Sequence, residues 1–220
     1  MIEEIDYLKI GSGSKGNAIL VQTKLLLDCG VSYVKLARYL RYIKVIFVSH
    51  QHQDHLLPTT IKKISYNYPN IKFVTSSKEV VIKLKNLGVD KKNIFYLTPK
   101  KWYSLGIMKV KTEPLEHDAE NYGLKWEYES KKGFYATDTS SLDNIRAENY
   151  DLYLIEANYS EELLKKHIEE CEDENQLYYL SRVKYTHLSQ EQANSFLIEN
   201  MGDNSKYEYI HQSSYNFEEE

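Results

Sequence analysis

Val45-Ile46-Phe47-Val48-Ser49-His50-Gln51-His52-Gln53-Asp54-His55 is the stretch that decides how this chain is read. Its first four residues are apolar and predict a short, fully buried strand. Three histidines and an aspartate then fall within six positions, in the order His-x-His-x-Asp-His, although the whole chain holds only 7 histidines. Imidazole and carboxylate are the ligands that borderline divalent metals such as zinc prefer. Core packing has no use for that order, because such groups are costly to bury unpaired. The loop reads as part of a metal site.

The bulk properties bound what surrounds it. At 220 residues the chain is expected to form one domain over 1–220. A hydrophobic content of 42% supports a globular fold with a core. The net charge of −4 excludes a global basic field for nucleic acid but not a local basic groove. No run of about 18 apolar residues suggests a membrane span. Met1-Ile2-Glu3-Glu4-Ile5-Asp6 is not a signal peptide, so a cytoplasmic protein is expected. Two cysteines, Cys29 and Cys171, fit that compartment, with a disulfide between them as the alternative.

Upstream, residues 5–10 alternate as a first strand. The loop Gly11-Ser12-Gly13-Ser14-Lys15-Gly16-Asn17 leads into the apolar run Ala18-Ile19-Leu20-Val21. Dinucleotide and P-loop sites need a helix N-terminus after the glycines, and here a strand follows. The loop is either a tight turn or a backbone rim of the site that brings Ser and Lys15 toward an anionic substrate. A further buried strand, Lys24–Leu27, ends at Asp28, placed either to support the metal loop or to cap the turn. Residues 31–42 have helical apolar spacing.

Downstream, a helix is expected near Pro58, a strand over 71–74, and a helix to Gly88 opened by a capping box from Ser76 to Glu79. Strands are expected over 93–97 and 108–112, then a hairpin of 122–129 with 133–137 joined by Ser130-Lys131-Lys132. A buried strand over 151–156 precedes an amphipathic helix carrying Leu163, Leu164, His167, Ile168 and Cys171, in which His167 is a boundary residue. Ser189 and Gln192 have capping-box spacing, so His187 stands just before a helix. A last strand covers 207–210, and the tail Phe217–Glu220 is expected to fray. Alternating strands and helices mean sheet covered by helices. His117, Asp138 and His211 each fall at or just past a strand end, as the metal loop does. Lysines at 62–63, 91–92 and 100–101 interleave with Tyr66, Tyr68, Phe95, Tyr96, Trp102 and Tyr103. That pattern suits either ordinary charged loops or a single-strand nucleic-acid surface.

The set His50-x-His52-x-Asp54-His55, His117, Asp138, His211, in that order, resembles the metallo-β-lactamase superfamily over essentially the whole chain. The resemblance implies an α/β fold of the αββα type, two mixed sheets flanked by helices, with metals at strand ends on one edge. Glu156-Ala157-Asn158-Tyr159, His187-Leu188-Ser189 and His211-x-Ser213 are similar to the ribonuclease Z-type phosphodiesterases. Gly-Ser-Gly-Ser-Lys-Gly-Asn before a strand is similar to single-domain DNA exonuclease-like members. The chain departs from its tRNA-processing relatives in lacking a glycine- and proline-rich arm, and no arginine follows His211.

Carried over by position, the resemblance implies two divalent ions, zinc first, with manganese and iron compatible. His50, His52 and His117 would hold one ion, Asp54, His55 and His211 the other, and Asp138 would bridge. Asp54 would also orient the attacking water, and His187, steadied by Glu156, would act as general acid. Ser213 and the Gly11–Asn17 loop would offer donors to phosphate oxygens. The expected activity is phosphodiester hydrolysis on nucleic acid, DNA favoured over RNA, in the manner of an exonuclease. The alternatives are an RNA-processing nuclease, a hydrolase of a lactone, thioester or cyclic nucleotide, and a binding module with structural metals.

Overall fold

The computed structural model describes residues 4–213. Tyr215 and the Phe217–Glu220 tail lie outside them. Two six-stranded sheets face each other. The first contains β1 (Tyr7–Gly11), β2 (Ala18–Val21), β3 (Leu25–Leu27), β4 (Val45–Phe47), β5 (Lys72–Thr75) and β6 (Ile94–Tyr96), side by side in chain order. β1, β2 and β3 are antiparallel, whereas β3 to β6 run parallel. The second sheet runs β7 (Tyr103–Ser104), β8 (Lys109–Leu115), β9 (Asn121–Tyr128), β10 (Lys131–Ala136), β11 (Leu152–Glu156) and β12 (Lys206–Ile210). Its meander is antiparallel as far as β10, then β10, β11 and β12 are parallel. Both sheets are mixed, as the resemblance implied.

The strand period of two decides the layering. Leu25 and Leu27 point between the sheets, where they meet Phe47, Val74, Val110, Leu124, Trp126, Tyr135 and Leu154. Leu26, one residue out of step, points the other way with Leu20, Ile46 and Phe73. There it packs against Leu36 of α1 (Tyr33–Leu36), Ile61 and Ile64 of α2 (Pro58–Asn67), and Val80 and Leu84 of α3 (Lys78–Asn86). On the far side, Phe134, Tyr153 and Ile155 pack on Ala193, Phe196 and Leu197 of α6 (Gln190–Asn200). Helices α4 (Glu161–Glu170) and α5 (Glu174–Thr186) form a separate small cluster around Tyr159, Leu164, Leu180 and Val183. No helix among the described residues is long and apolar enough to cross a membrane. Cys29 and Cys171 are free thiols.

Local structure departs from the sequence reading at four points. The helix over 31–42 is a single turn at Tyr33–Leu36, because Ser32 makes no side-chain cap and the chain continues in short turns, Tyr39 N–H to Leu36 O and Tyr42 N–H to Tyr39 O. Val34, one of the apolar residues of that spacing, is 81% exposed. The cap of α3 is Ser77, which accepts from Val80 N–H. Ser76 is still at the strand end, where its hydroxyl donates to Leu97 O. Helix α5 was not anticipated, although Asp173 caps it by accepting from Gln176 N–H. The edge strand β7 is the fourth, a two-residue piece too short to show periodicity. The capping box at Ser189 and Gln192 is present with both hydrogen bonds.

Candidate metal centre

Parallel strands β4 and β11 and their neighbours end on the same edge of the two sheets, and the loops after them carry the polar residues. The loop after β4 supplies His50, His52, Asp54 and His55. The loops after β8, β10, β11 and β12 supply His117, Asp138, Asn158 and His211, and Glu156 closes β11 itself. An open cleft of about 360 Å³ is lined by His52, Asp54, His117, Asp138, His187 and His211, among others.

Every histidine and carboxylate of the expected ligand set is brought together. Ligand atoms of His50, His52 and His117 lie within 4.8 Å of one another, as do those of Asp54, His55 and His211. Asp138 shares one such group with His50 and His55 and another with Glu156, His187 and His211, so it stands between the two histidine groups. Its Oδ2 is 2.9 Å from His55 Nε2 and its Oδ1 is 3.6 Å from His211 Nε2. His167, set aside in the sequence, sits on α4 and does not line the cleft.

The surrounding hydrogen bonds aim these rings. Asp28 is fully buried and accepts from Ser49 N–H at 2.8 Å, Ser49 Oγ at 2.9 Å, Tyr135 O–H at 2.6 Å and His55 Nδ1–H at 2.6 Å. Of its two sequence readings, support of the metal loop is the one observed. His117 Nδ1–H donates to Thr186 O at 3.1 Å. Glu156 does more than expected. Its Oε1 lies 2.7 Å from His187 Nδ1 and 3.0 Å from His211 Nδ1, while Oε2 accepts from Thr139 N–H. One buried carboxylate thus orients two imidazoles.

The glycine-rich loop is both turn and rim. Asn17 donates from Nδ2 to Asp54 O, its backbone N–H donates to the same oxygen, and Gly30 N–H donates to Asn17 O. Ser14, and not Lys15, lines the cleft. A Cβ on Gly30 would lie 1.6 Å from Asp54 O. Gly30→Ala therefore forces the Asp54–His55 turn to move, at a cost of about 1–3 kcal/mol. Fewer metal ions bound per folded chain are expected, as read by elemental analysis alongside circular dichroism.

The donor set fits divalent cations. His50 Nε2 is buried with no hydrogen-bond partner. Burial, and then the neighbouring His55, push the His50 imidazole well below its ordinary range, which keeps it neutral as a metal ligand must be. Burial likewise lowers His117. Burial also works against His211, but Asp138, Asp54 and Glu156 outweigh it and hold it at about 10, so a cation bound there must displace its proton. For Asp54, burial opposes ionisation, yet hydrogen bonds from His211 and His55 keep its carboxyl well below the usual range. So many ionised carboxylates around buried rings demand positive charge at the centre. Three of the participating residues also hold left-handed backbone, Asp28 at φ 59°, Asp138 at 51° and His211 at 50°.

Several site residues were not found in the sequence. Asp118 Oδ1 lies 3.2 Å from His117 Nε2 and 3.6 Å from His52 Nε2. Asn158 bonds His211, and Tyr178, Arg182 and Val183 of α5 form a wall of the cleft. The lysine pairs at 62–63, 91–92 and 100–101 are not among the residues lining it.

Known proteins share this architecture. The exodeoxyribonuclease WalJ of Streptococcus pneumoniae serotype 2 (strain D39) is 28% identical over 227 residues, covering 93% of this chain and 80% of that protein. The metallo-beta-lactamase fold protein YhfI from Bacillus subtilis superposes with a TM-score of 0.73 at 16% identity, covering 96% of this chain and 88% of that one. The short form of human tRNase Z does so with a TM-score of 0.67 at 16% identity, covering 94% and 93%. A family model for the beta-lactamase superfamily domain matches residues 23–207, which run from the turn before β3 into β12 and take in the whole His50–His55 loop. The chain belongs to the β-lactamase superfamily, and its two mixed sheets flanked by helices are the metallo-β-lactamase fold.

Proposed function

We propose that this hydrolase is a phosphodiesterase with two divalent metal ions, zinc first among them, that removes nucleotides from DNA ends. The fold implies divalent metal binding, and the His/Asp groups of the cleft fit it. When bound, such ions acidify water near neutral pH and neutralise charge on the phosphate. His50, His52, His117, Asp54, His55 and His211 would hold them, with Asp138 shared. Asp54 lines the cleft, placed to orient the attacking water.

One observation carries the phosphodiester reading. His187 lines the cleft, stacks on His211 at 5.3 Å between ring centroids, and donates Nδ1–H to the buried Glu156. Its Nε2 is left to carry a proton to a leaving oxygen. Burial works against charging His187, but Glu156 outweighs it and raises the imidazole above its ordinary range, so the acid form is available near neutral pH. A leaving alkoxide needs such a donor. The likeness to a named exodeoxyribonuclease favours DNA, whereas the resemblance of fold to a tRNase Z keeps RNA as the second reading. Two free thiols suit a cytoplasmic setting.

The test is a panel of 5′- and 3′-labelled single- and double-stranded DNA and RNA, offered to chelator-stripped protein with zinc, manganese or iron returned one at a time. Stepwise release of nucleotides from DNA ends is expected with metal and none without. Turnover of a lactone, thioester or cyclic nucleotide with every oligonucleotide untouched overturns the reading.

A further inference from the structure

The residues that line the cleft are dominated by acids and imidazoles. Among those described, Arg182 is the single Lys or Arg. A polyanionic strand needs a cation beyond the reacting centre, and the lysine clusters elsewhere do not line this cleft. Arg182 belongs to a stripe of three residues spaced by four along α5: Tyr178, Arg182 and Thr186. Residues so spaced stand one above another on a helix face. All three line the cleft. The stripe is anchored at its inner end, where the Thr186 carbonyl accepts from His117. At 1.5 Å of rise per residue, Arg182 stands about 6 Å and Tyr178 about 12 Å further along the axis.

The outer two residues are presented to solvent but already organised. Tyr178 is 64% exposed, and the Arg182 guanidinium lies 5.6 Å from its ring centroid. Arg182 Nη2 lies 3.8 Å from Asp118 Oδ2, with both side chains about half exposed. An ion pair that long and that exposed holds its partners weakly. A phosphate, which a guanidinium can grip through two parallel hydrogen bonds, is the better partner. Asp118 therefore leaves Arg182 able to exchange it for a phosphate.

We propose that the Tyr178–Arg182–Thr186 face of α5 is the track along which a single-stranded nucleic acid leaves the hydrolytic site. Arg182 grips the phosphate of a nucleotide flanking the scissile bond, and Tyr178 stacks on a base beyond it. This rests on the phosphodiesterase reading above. It assigns substrate class to α5 rather than to the basic clusters, and it makes Arg182 and Tyr178 the residues that favour a strand over a small phosphodiester.

The experiment measures equilibrium binding of a short fluorescein-labelled oligothymidylate by anisotropy across a salt series. It uses the full-length metal-loaded chain carrying His187→Ala to suppress cleavage. Adding Arg182→Ala is expected to weaken binding roughly tenfold or more and to flatten the dependence of log K on log salt by about 0.7, the value for one phosphate on a single strand. Arg182→Lys restores the slope but not the full affinity. Tyr178→Ala weakens binding at least about fivefold and leaves the slope alone, and Tyr178→Phe restores it, which a misfolded helix would not do. An unchanged affinity and slope in Arg182→Ala, with the parent binding normally, overturns the track and leaves the phosphodiesterase reading standing. A duplex that binds with the same Tyr178 dependence overturns the single-strand assignment. If the parent binds no oligonucleotide and the wild type cleaves none, the functional reading falls and the track with it.

Discussion

Replacing His187 with alanine lowers phosphodiester cleavage about 10²–10⁴-fold while bound metal per chain stays unchanged. The imidazole lines the cleft but is not needed to complete the His50/His52/His117 or Asp54/His55/His211 groups. Its loss removes a proton donor without removing a ligand from either group. The deficit should be largest for substrates with a poor, alkoxide-like leaving group. It should shrink for a p-nitrophenyl diester, whose leaving group departs without help. Equal losses on both substrates, or a fall in metal content, would show that His187 is a structural or ligating residue instead. Glu156→Gln is not a cleaner probe, because the same carboxylate oxygen also orients His211.

Asp28→Ala is expected to destabilise the fold by on the order of 4 kcal/mol, a melting temperature lower by about 8–16 °C for a chain of this size. It should also weaken metal binding about 10–100-fold. Four buried donors converge on this carboxylate, and none of them has water to turn to. His55 would lose the bond that fixes its ring. Alanine would also sit in left-handed backbone at φ 59°, which aspartate tolerates better. Asp28→Asn separates the two causes, since asparagine accepts that backbone but presents an amide against donors. Tyr135→Phe, which deletes one donor alone, should cost about 1 kcal/mol. Melting by differential scanning fluorimetry, with and without chelator, distinguishes these cases; an unchanged melting curve for Asp28→Ala would refute the network as a source of stability.

What spacing alone made legible was local; the joining of His117, Asp138 and His211 to the histidine loop rested on the resemblance of the whole ordered set. The apolar run 45–48 and the histidines after it specify a strand and a polar loop without reference to anything distant. The capping box at Ser189 works the same way. Helix α5 was missed because its buried residues, Leu180 and Val183, are few and lie among tyrosines and charges that mask the helical period. Arg182 and Asp118 were missed for a different reason. Their meaning lies in a pairing across the cleft, which no spacing along the chain encodes. Glu156 was half-legible. Its bond to His187 was expected, but that to His211 depends on β11 and β12 lying parallel and in register. The choice between Ser76 and Ser77 as cap turned on one residue of strand length.

The two sheets divide the donors between them, and this gives the chain a built-in test of its own completion. His50 to His55 follow β4 of the first sheet. His117, Asp138 and His211 follow strands of the second, and His211 follows β12, an edge strand whose sole strand neighbour is β11. Nothing short of the whole architecture assembles a full set. A chain whose last strand has been peeled away by a protease lacks His211, and one stopped before the second sheet lacks His117 and Asp138 as well, so neither carries the complete donor set. For a protein that would cut nucleic acid, misfolding is then a silent failure and not a dangerous one. Activity in a sample counts intact molecules more strictly than any measure of secondary structure.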